Sequence, residues 1–377
     1  MFLNPPCKIY CIGSECMKHI LMMETGSFRT IGGAAKDTYM LYNKLRLRKG
    51  YDIDIFGSFN RIDKAAKTVD ISELLAKDYD LIWMNSIRDV TIADTYRESH
   101  TNAKTRFLYV DRGNVLLNFS NASLKRLLPK MIARRHLISK MQKWLDYYIA
   151  INPGQYSFAK KFFDKRTEVH HILIAPHEEF RFLGKKRSFN GALAASRLDE
   201  RQKKVSHMIK GIGAVVKGHK ELKSEELLRI IGDGIDSERY KAMVHSLGLE
   251  SNITFEGFFA GDELVKRYNN AAFFVSTSEW EGLGRSLLEA MACGLPLLIN
   301  DNINTVIKDR PVTRVVKPGY NGLVYKYGNI DEFAAQFYKI YSDRELQKKL
   351  SANAQKFIRQ FSFDKVVKSY ERIIDGL

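Results

Sequence analysis

The sequence predicts an α/β protein built of two Rossmann-like, doubly wound domains. Its 377 residues are too many for one ordinary core, and the 45% that are hydrophobic suffice for two. In both halves, short apolar runs alternate with stretches of helical spacing, which is typical of parallel sheets with crossover helices. A polar, basic run at 184–188 predicts a linker, so we place the domains at 1–184 and 185–360, followed by a terminal helix at 361–377.

The first half begins with a strand, a glycine-containing loop and a helix. The loop, Gly26–Gly33, lacks the G-x-G-x-x-G spacing, so it indicates half of a nucleotide-binding unit without specifying a dinucleotide. Apolar runs place the strands of this half at 8–13, 52–56, 80–85, 106–111, 147–152 and 170–175. Helical spacing places its helices at 34–49, 92–98, 121–146 and 155–163.

The second half repeats the alternation. Helical spacing follows its first strand to about residue 216, returns after residue 284 until Gly294 and Pro296, and covers most of 331–377. Apolar runs place the strands at 191–196, 227–233, 253–258, 271–275 and 297–299.

The stretch from residue 271 to residue 299 carries the clearest chemical signal. Glu281 falls on a loop after a predicted strand, and a helix begins at the glycines that follow it. A helix start offers free backbone N–H groups and the positive end of the helix dipole, which favours an anionic ligand such as a phosphate. Glu289 lies on an otherwise apolar helix face, where a carboxylate needs a partner such as a ligand hydroxyl.

The segment EGLGRSLLEAMACGLP, with seven residues between Glu281 and Glu289, resembles the E-x7-E signature of retaining glycosyltransferases of family 4. The resemblance implies the GT-B fold, in which two Rossmann-like domains face each other across a cleft and the last helix crosses back to the first domain. It also implies transfer of a sugar from a nucleotide sugar, with a UDP-sugar expected, to a glycan or lipid-linked acceptor in surface polysaccharide or glycoconjugate synthesis.

Further site residues follow from the resemblance in the second half. Arg197 and Lys203 match the family's two contacts to the donor diphosphate, and Lys204 competes for the second position. A solvated basic loop is the alternative for these cations. The resemblance places Glu281 near the sugar and Glu289 at the ribose hydroxyls. It adds donor contacts from the backbone at Leu283, Gly284 and Arg285, and from the turns at Gly232 and Phe258.

Over the first half the resemblance rests on fewer residues. The paired Gly32 and Gly33 resemble the glycines that lie close to the donor in the family, with a flexible turn as the alternative. Asp111, just beyond its predicted strand, resembles the family's polar residue that faces the donor sugar or the acceptor. A loop aspartate that caps a turn is the alternative. This half is therefore expected to be the acceptor-binding domain.

No metal or other cofactor is expected. Asp52 and Asp54 form a D-x-D pattern. Ile53 and Ile55 share one face of the predicted strand, so the two aspartates are expected on its opposite face and not at a metal. His170 and His171 are adjacent on a strand and point to opposite sides. Cys7, Cys11, Cys16 and His19 match no common zinc spacing, and reduced thiols in a cytosolic protein are the plain interpretation of the four cysteines.

The formal net charge of +17 predicts an anionic partner. No nucleic-acid module is evident, so nucleic acid is not expected. Residues 121–145 hold seven Lys and Arg and no acidic residue, with apolar residues at near-helical spacing, which indicates either a membrane-surface helix or a core-packed helix with a solvated face. Without a secretory signal, we expect a cytoplasmic protein that is peripheral to the membrane.

Two other functions remain open at this point. A nucleotide-sugar epimerase of the same fold would use the same diphosphate site, but it needs acid and base groups at the sugar and no acceptor. A catalytically inactive membrane- or polyanion-binding protein would explain the charge, although the set Arg197, Lys203, Glu281 and Glu289 argues against it.

Overall fold

The computed structural model describes residues 17–25, 33–57, 66–101, 104–112, 136–184, 186–281, 283–304 and 315–377. The chain forms two compact units. The first unit comprises Met1–Leu173 together with Asp364–Leu377, and the second comprises Ile174–Phe363. The division between them falls earlier in the chain than the linker that we predicted at residue 184.

The first unit contains a sheet of six parallel strands in the order β2-β1-β3-β4-β5-β6. This order reverses next to β1, which is the arrangement of a doubly wound sheet. The strands are β1 (Lys18–Glu24), β2 (Tyr51–Gly57), β3 (Leu81–Met84), β4 (Arg106–Asp111), β5 (Tyr147–Ala150) and β6 (Glu168–His171). The helices of this unit before residue 173 are α1 (Gly33–Leu45), α2 (Ile71–Leu75), α3 (Asp89–Ser99) and α4 (Pro153–Phe162), and residues 136–142 are also helical.

Two of the predicted strands of this unit need comment. The predicted strand at 8–13 lies outside the described residues, and the first described strand, β1, was not predicted. The last strand was predicted at 170–175 but spans Glu168–His171, because it pairs in register with β5 from Tyr147 to Ala150 and ends with that partner. The apolar residues after His171 suggested a strand, but they continue into the second unit.

The D-x-D pattern lies in β2, and its aspartates are paired with lysines. Asp54 is buried and its oxygens lie 2.9 Å from Lys67 Nζ and 2.8 Å from Lys77 Nζ, while Asp52 accepts from Lys67 at 2.8 Å. Burial alone would raise the pKa of Asp54, but hydrogen bonds from Lys77, Lys67 and Tyr79 outweigh it and lower the pKa. Both carboxylates are therefore neutralised by side chains of the same unit.

The last helix, α12 (Phe363–Asp375), packs on the first unit. Tyr370 lies against Trp83 of β3 with ring centroids 4.3 Å apart. Its C-terminal end is tied to β1 and β2, because Lys18 donates to the Leu377 carbonyl at 2.8 Å and Tyr51 donates to Asp375. The chain thus leaves the first unit at residue 173 and rejoins it at residue 364.

The second unit contains a second sheet of six parallel strands, in the order β12-β11-β10-β7-β8-β9. Its strands are β7 (Ala192–Ala195), β8 (Leu228–Ile231), β9 (Ile253–Gly257), β10 (Phe273–Ser276), β11 (Leu297–Asn300) and β12 (Gly322–Tyr325). Its helices are α5 (Val205–Gly218), α6 (Ser237–Ser246), α7 (Gly261–Asn270), α8 (Arg285–Ala292), α9 (Asp301–Asn304), α10 (Ile330–Ser342) and α11 (Arg344–Ile358). The predicted class, two doubly wound parallel α/β units, is confirmed.

Candidate active site

The topology of the second sheet directs attention to one edge. From β7 the chain proceeds to β8 on one side, whereas β10 pairs with the other side of β7 and leads on to β11. In open parallel sheets, ligands bind at the carboxyl ends of the strands where the order reverses. Two loops meet at this point, the β7 loop (196–204) and the β10 loop (277–284).

The two loops are joined by hydrogen bonds between their backbones and one buried hydroxyl. Glu279 N donates to the Gln202 carbonyl at 2.8 Å. Thr277 Oγ1 lies 3.1 Å from the Lys203 carbonyl and 3.0 Å from the Lys204 carbonyl. Because Thr277 is only 1% exposed, its hydroxyl has these carbonyls as its partners instead of water. The backbone that carries both lysines is therefore fixed against β10.

The joined loops bring two predicted site residues into contact. Lys203 Nζ lies 2.5 Å from Glu281 Oε1, and Ser278 Oγ donates to the same oxygen at 2.8 Å. The side chains of Lys203 and Glu281 are 16% and 13% exposed, so the ion pair is shielded from much of the solvent. Each charge thus has a partner within the protein, and any anion that engages Lys203 has to compete with Glu281.

Lys204, the competing candidate, has a different environment. Its φ is 49° and its ψ is 44°. Among the described residues other than glycine, it alone has a positive φ. This backbone conformation ends the β7 loop and starts α5. The ammonium of Lys204 lies 3.1 Å from Glu279 Oε2, whereas Lys203 is the lysine beside Glu281. The geometry therefore favours Lys203 over Lys204 as the lysine that is predicted to contact the donor diphosphate.

Arg197 lies at the start of the β7 loop and is the more accessible cation. Its side chain is 57% exposed, and its Nη2 is 3.1 Å from Gln202 Oε1 and 3.8 Å from Asp199 Oδ2. Asp199 is engaged mainly by Arg201, whose hydrogen bonds lower the pKa of that carboxyl. Most of the Arg197 guanidinium therefore remains available to an anion at the mouth of the site.

The N-terminus of α8 follows the β10 loop. Gly284 has a φ of 69°, and a Cβ at this position would come within 2.7 Å of Leu287 Cδ1, so the turn into the helix requires glycine. Leu283 is buried and holds the turn in the core. The helix begins at Arg285, four residues after Glu281, and the backbone N–H groups of its first residues lack the partner four residues earlier that later helical N–H groups have. Gly282 lies outside the described residues.

The side chain of Arg285, the first residue of α8, is directed to the start of the second unit. Its Nη1 lies 3.1 Å from the Ala175 carbonyl and 3.1 Å from His177 Nε2. The predicted contact of Arg285 with a donor is therefore left to its backbone N–H. His177 was not among the predicted site residues, because only the packing of α8 reveals it.

Glu289 lies one turn further along α8 and is 8% exposed. The sequence predicted that this carboxylate needs a partner, and in the structure the hydroxyl of Tyr268 of α7 lies 3.4 Å from Glu289 Oε2. Burial, and then the charge of Glu289, raise the pKa of Tyr268 well above its ordinary value, so the phenol remains a donor. A contact between Glu289 and a ribose stays a prediction.

The remaining second-unit candidates lie on neighbouring loops of the same edge. Gly232, after β8, has a φ of 129°, and a Cβ there would lie 1.9 Å from the Ser196 carbonyl, so only glycine lets this turn approach the β7 loop. Phe258 follows β9 and is 74% exposed. Both positions therefore lie at the carboxyl edge of the sheet, as the sequence predicted.

The structure says less about the site residues that were predicted in the first unit. Gly32 lies outside the described residues, and Gly33 is the first residue of α1. Asp111 was predicted to face a donor sugar or an acceptor. It is the last residue of β4, is 0% exposed and accepts a hydrogen bond from Tyr148 at 2.6 Å, and its contact with a ligand stays a prediction. Its carboxylate is engaged inside the unit.

The fold resembles that of solved glycosyltransferases. The structure of sucrose-phosphate synthase from Thermosynechococcus elongatus aligns with a TM-score of 0.75 and 16% identity, over 95% of this chain and 98% of that one. HepE of Anabaena in complex with UDP and glucose aligns with a TM-score of 0.74 and 17% identity, over 96% of this chain and 100% of that one. These similarities confirm the GT-B class of fold.

Comparison of sequences gives closer similarities, and they include a family model that matches within the second unit. Residues 177–357 match the family model described as "Glycosyl transferases group 1", which supports the predicted family at the level of group 1. Lipopolysaccharide 1,6-galactosyltransferase of Salmonella typhimurium is 31% identical over 145 residues, which are 38% of this chain and 37% of that protein. Poly(glycerol-phosphate) alpha-glucosyltransferase of Bacillus subtilis is 28% identical over 191 residues, 51% of this chain and 25% of that protein. The chain thus matches well under half of either relative.

Proposed function

We propose that this protein is a retaining glycosyltransferase of family 4 that transfers a sugar from a UDP-sugar to a glycan or lipid-linked acceptor. The observation that carries the proposal is the contact between Lys203 and Glu281 at the reversal point of the second sheet. Arg197 lies on the same loop as Lys203, and α8 begins directly after the loop that carries Glu281. A cation pair, a helix N-terminus and a carboxylate are the groups that a sugar diphosphate needs.

The chemistry assigns a role to each group. As the bond between the sugar and the diphosphate breaks, negative charge develops on the leaving phosphate oxygen, and Lys203, Arg197 and the first N–H groups of α8 stabilise it. That oxygen takes the proton of the acceptor hydroxyl on the same face of the sugar, where the new bond to the acceptor oxygen forms, so the anomeric configuration is retained. Glu281 orients the sugar hydroxyls, and Glu289 holds the ribose.

The choice of substrates rests on similar proteins. HepE was crystallised with UDP and UDP-glucose, which supports a UDP-sugar donor. The named relatives act on lipopolysaccharide and on poly(glycerol phosphate), which supports a cell-surface glycan or lipid-linked acceptor. Synthesis of a surface polysaccharide or glycoconjugate at the cytoplasmic face of a membrane fits both.

The proposal is tested by measuring UDP release from a panel of UDP-sugars, with and without acceptor glycans, and by reading the anomeric configuration of the product by NMR. We expect acceptor-dependent release with retained configuration. Conversion of the donor to its epimer without any acceptor would instead identify an epimerase. A chain that binds UDP and performs neither reaction would support the inactive, polyanion-binding alternative.

Transfer should survive EDTA. Lys203, Arg197 and the helix N-terminus supply the positive charge that a divalent metal supplies elsewhere, and in the described parts of the chain no group of three or more His, Cys, Asp or Glu side chains is placed to hold a metal. The measurement compares initial rates before and after EDTA dialysis. Complete loss that manganese or magnesium restores would overturn the prediction and direct attention to Asp52 and Asp54.

We also propose that the basic stretch at 121–145 attracts the protein to anionic membranes. No described helix has the length and apolarity needed to span a bilayer. Residues 121–135 lie outside the described residues, whereas Met141 and Trp144 are buried in the core of the first unit and Lys140 pairs with Asp94 at 2.7 Å. The apolar side of this end is therefore used for packing, and the attraction should be mainly electrostatic.

Co-sedimentation with vesicles tests this attraction. Binding should require anionic lipid and weaken steeply as salt shortens the Debye length below about 10 Å. Changing Lys125, Arg126, Lys130 and Arg134 to Gln should reduce it. Equal binding to neutral vesicles, or no effect of the four changes, would exclude this stretch as the anchor.

A further inference from the structure

The support segment (175–180) contacts α8 directly at Arg285 and is linked to Glu289 through Tyr268 of α7. It is the first stretch of the second unit, because the first unit ends at Leu173. Three of its residues are almost completely buried, namely Ala175, His177 and Phe180. The segment turns at His177, whose carbonyl accepts a hydrogen bond from Phe180 N at 3.0 Å. It therefore has a defined conformation under α8.

At the N-terminal end of α8, the contact is made by Arg285. Its Nη1 is shared between the Ala175 carbonyl and His177 Nε2, each at 3.1 Å. A guanidinium only donates, so His177 Nε2 is the acceptor in this contact. His177 is 0% exposed, so water does not compete for the contact. The imidazole thus fixes the direction of the first side chain of α8.

At the other end, the contact passes through an aromatic pair. The ring of Phe180 meets the ring of Tyr268 edge to face, with centroids 5.4 Å apart and an interplanar angle of 84°. The hydroxyl of Tyr268 in turn lies 3.4 Å from Glu289 Oε2. One short segment therefore supports the backbone beside the predicted phosphate site through His177 and the predicted ribose contact through Phe180.

We infer that His177 is a positioning residue for the donor site, which holds the N-terminus of α8 in place through Arg285. The inference rests on the proposed function, since it assumes that these N–H groups receive the donor diphosphate. His177 does not touch the donor itself. Its loss should therefore weaken nucleotide binding and raise KM for the donor more than it lowers kcat.

The experiment measures UDP binding by calorimetry and donor kinetics in the full chain. His177→Leu, which fills a similar volume but cannot accept, should weaken UDP binding about tenfold, within the range for a mutation that acts on a site through a neighbouring residue. His177→Gln keeps an acceptor for Arg285 and should restore binding to within about threefold of the unmodified protein. His245→Gln, at an exposed position on α6, is the matched control and should change nothing.

A double-mutant cycle separates positioning from simple packing. If His177 acts through Arg285, then His177→Leu should have no further effect on UDP binding in an Arg285→Met background. Unchanged UDP binding in His177→Leu would overturn this inference. So would a double variant whose loss of UDP affinity equals the sum of the losses in the two single variants. Either result would leave the proposed function standing. An unmodified chain that binds no nucleoside diphosphate would overturn the proposed function together with it.

Discussion

Lys203→Met should lower kcat/KM for sugar transfer by about 100- to 1,000-fold, the typical cost of removing one group that stabilises developing negative charge. Glu281→Gln should also abolish most of the transfer, but with the opposite effect on nucleotide affinity. Lys203 Nζ and Glu281 Oε1 are 2.5 Å apart, so the carboxylate competes with the diphosphate for the ammonium. We therefore expect UDP to bind more tightly to Glu281→Gln and more weakly to Lys203→Met.

Calorimetric titration with UDP and initial-rate kinetics check both variants. Lys348→Met is the matched control, because Lys348 also pairs with a glutamate but on an exposed part of α11, where its side chain is 73% exposed. Normal transfer in either variant would remove that residue from the site. Weaker UDP binding in Glu281→Gln would show that Glu281 and the diphosphate do not share Lys203.

The strands that were predicted well are those with a continuous apolar run buried on both faces. The strand at 106–111 was predicted with its observed bounds, because Phe107–Val110 is apolar throughout. The strand β1 was missed although its residues Ile20–Met23 are all 0% exposed. A second apolar run at 8–13 competed with it for the same place in the alternation. Propensity alone does not decide between two such runs.

Some residues of the site could be predicted from the sequence, whereas others are identified only by the packing. Glu281 and Lys203 could be named from their motifs, but their contact spans 78 positions and depends on β10 pairing with β7. The roles of Thr277 and His177 depend on that same packing, so no local pattern identifies them. Asp111 is a different case. Its place at a strand end suggested an open edge, whereas the hydroxyl of Tyr148 on the adjacent strand covers the carboxylate.

Tyr370→Ala should destabilise the first unit by about 3–5 kcal/mol, the usual cost of removing a buried aromatic side chain. Tyr370 is 3% exposed, and its ring lies on Trp83, which is 0% exposed at the centre of the sheet. The change leaves a cavity between α12 and β3, and the polar ties at the end of the helix cannot compensate, since surface ion pairs such as Arg48 with Glu371 contribute little.

Tyr370→Phe separates packing from polarity in this prediction. It keeps the ring on Trp83, so it should cost less than about 1.5 kcal/mol, the range for changes that preserve core volume. Urea unfolding followed by tryptophan fluorescence measures both variants, because Trp83 reports on the environment beneath α12. A Tyr370→Ala protein as stable as the unmodified one would show that α12 is not part of the core of the first unit. A loss of stability in Tyr370→Ala but not in Tyr370→Phe would show that the packing of α12 on β3 contributes to the stability of the first unit.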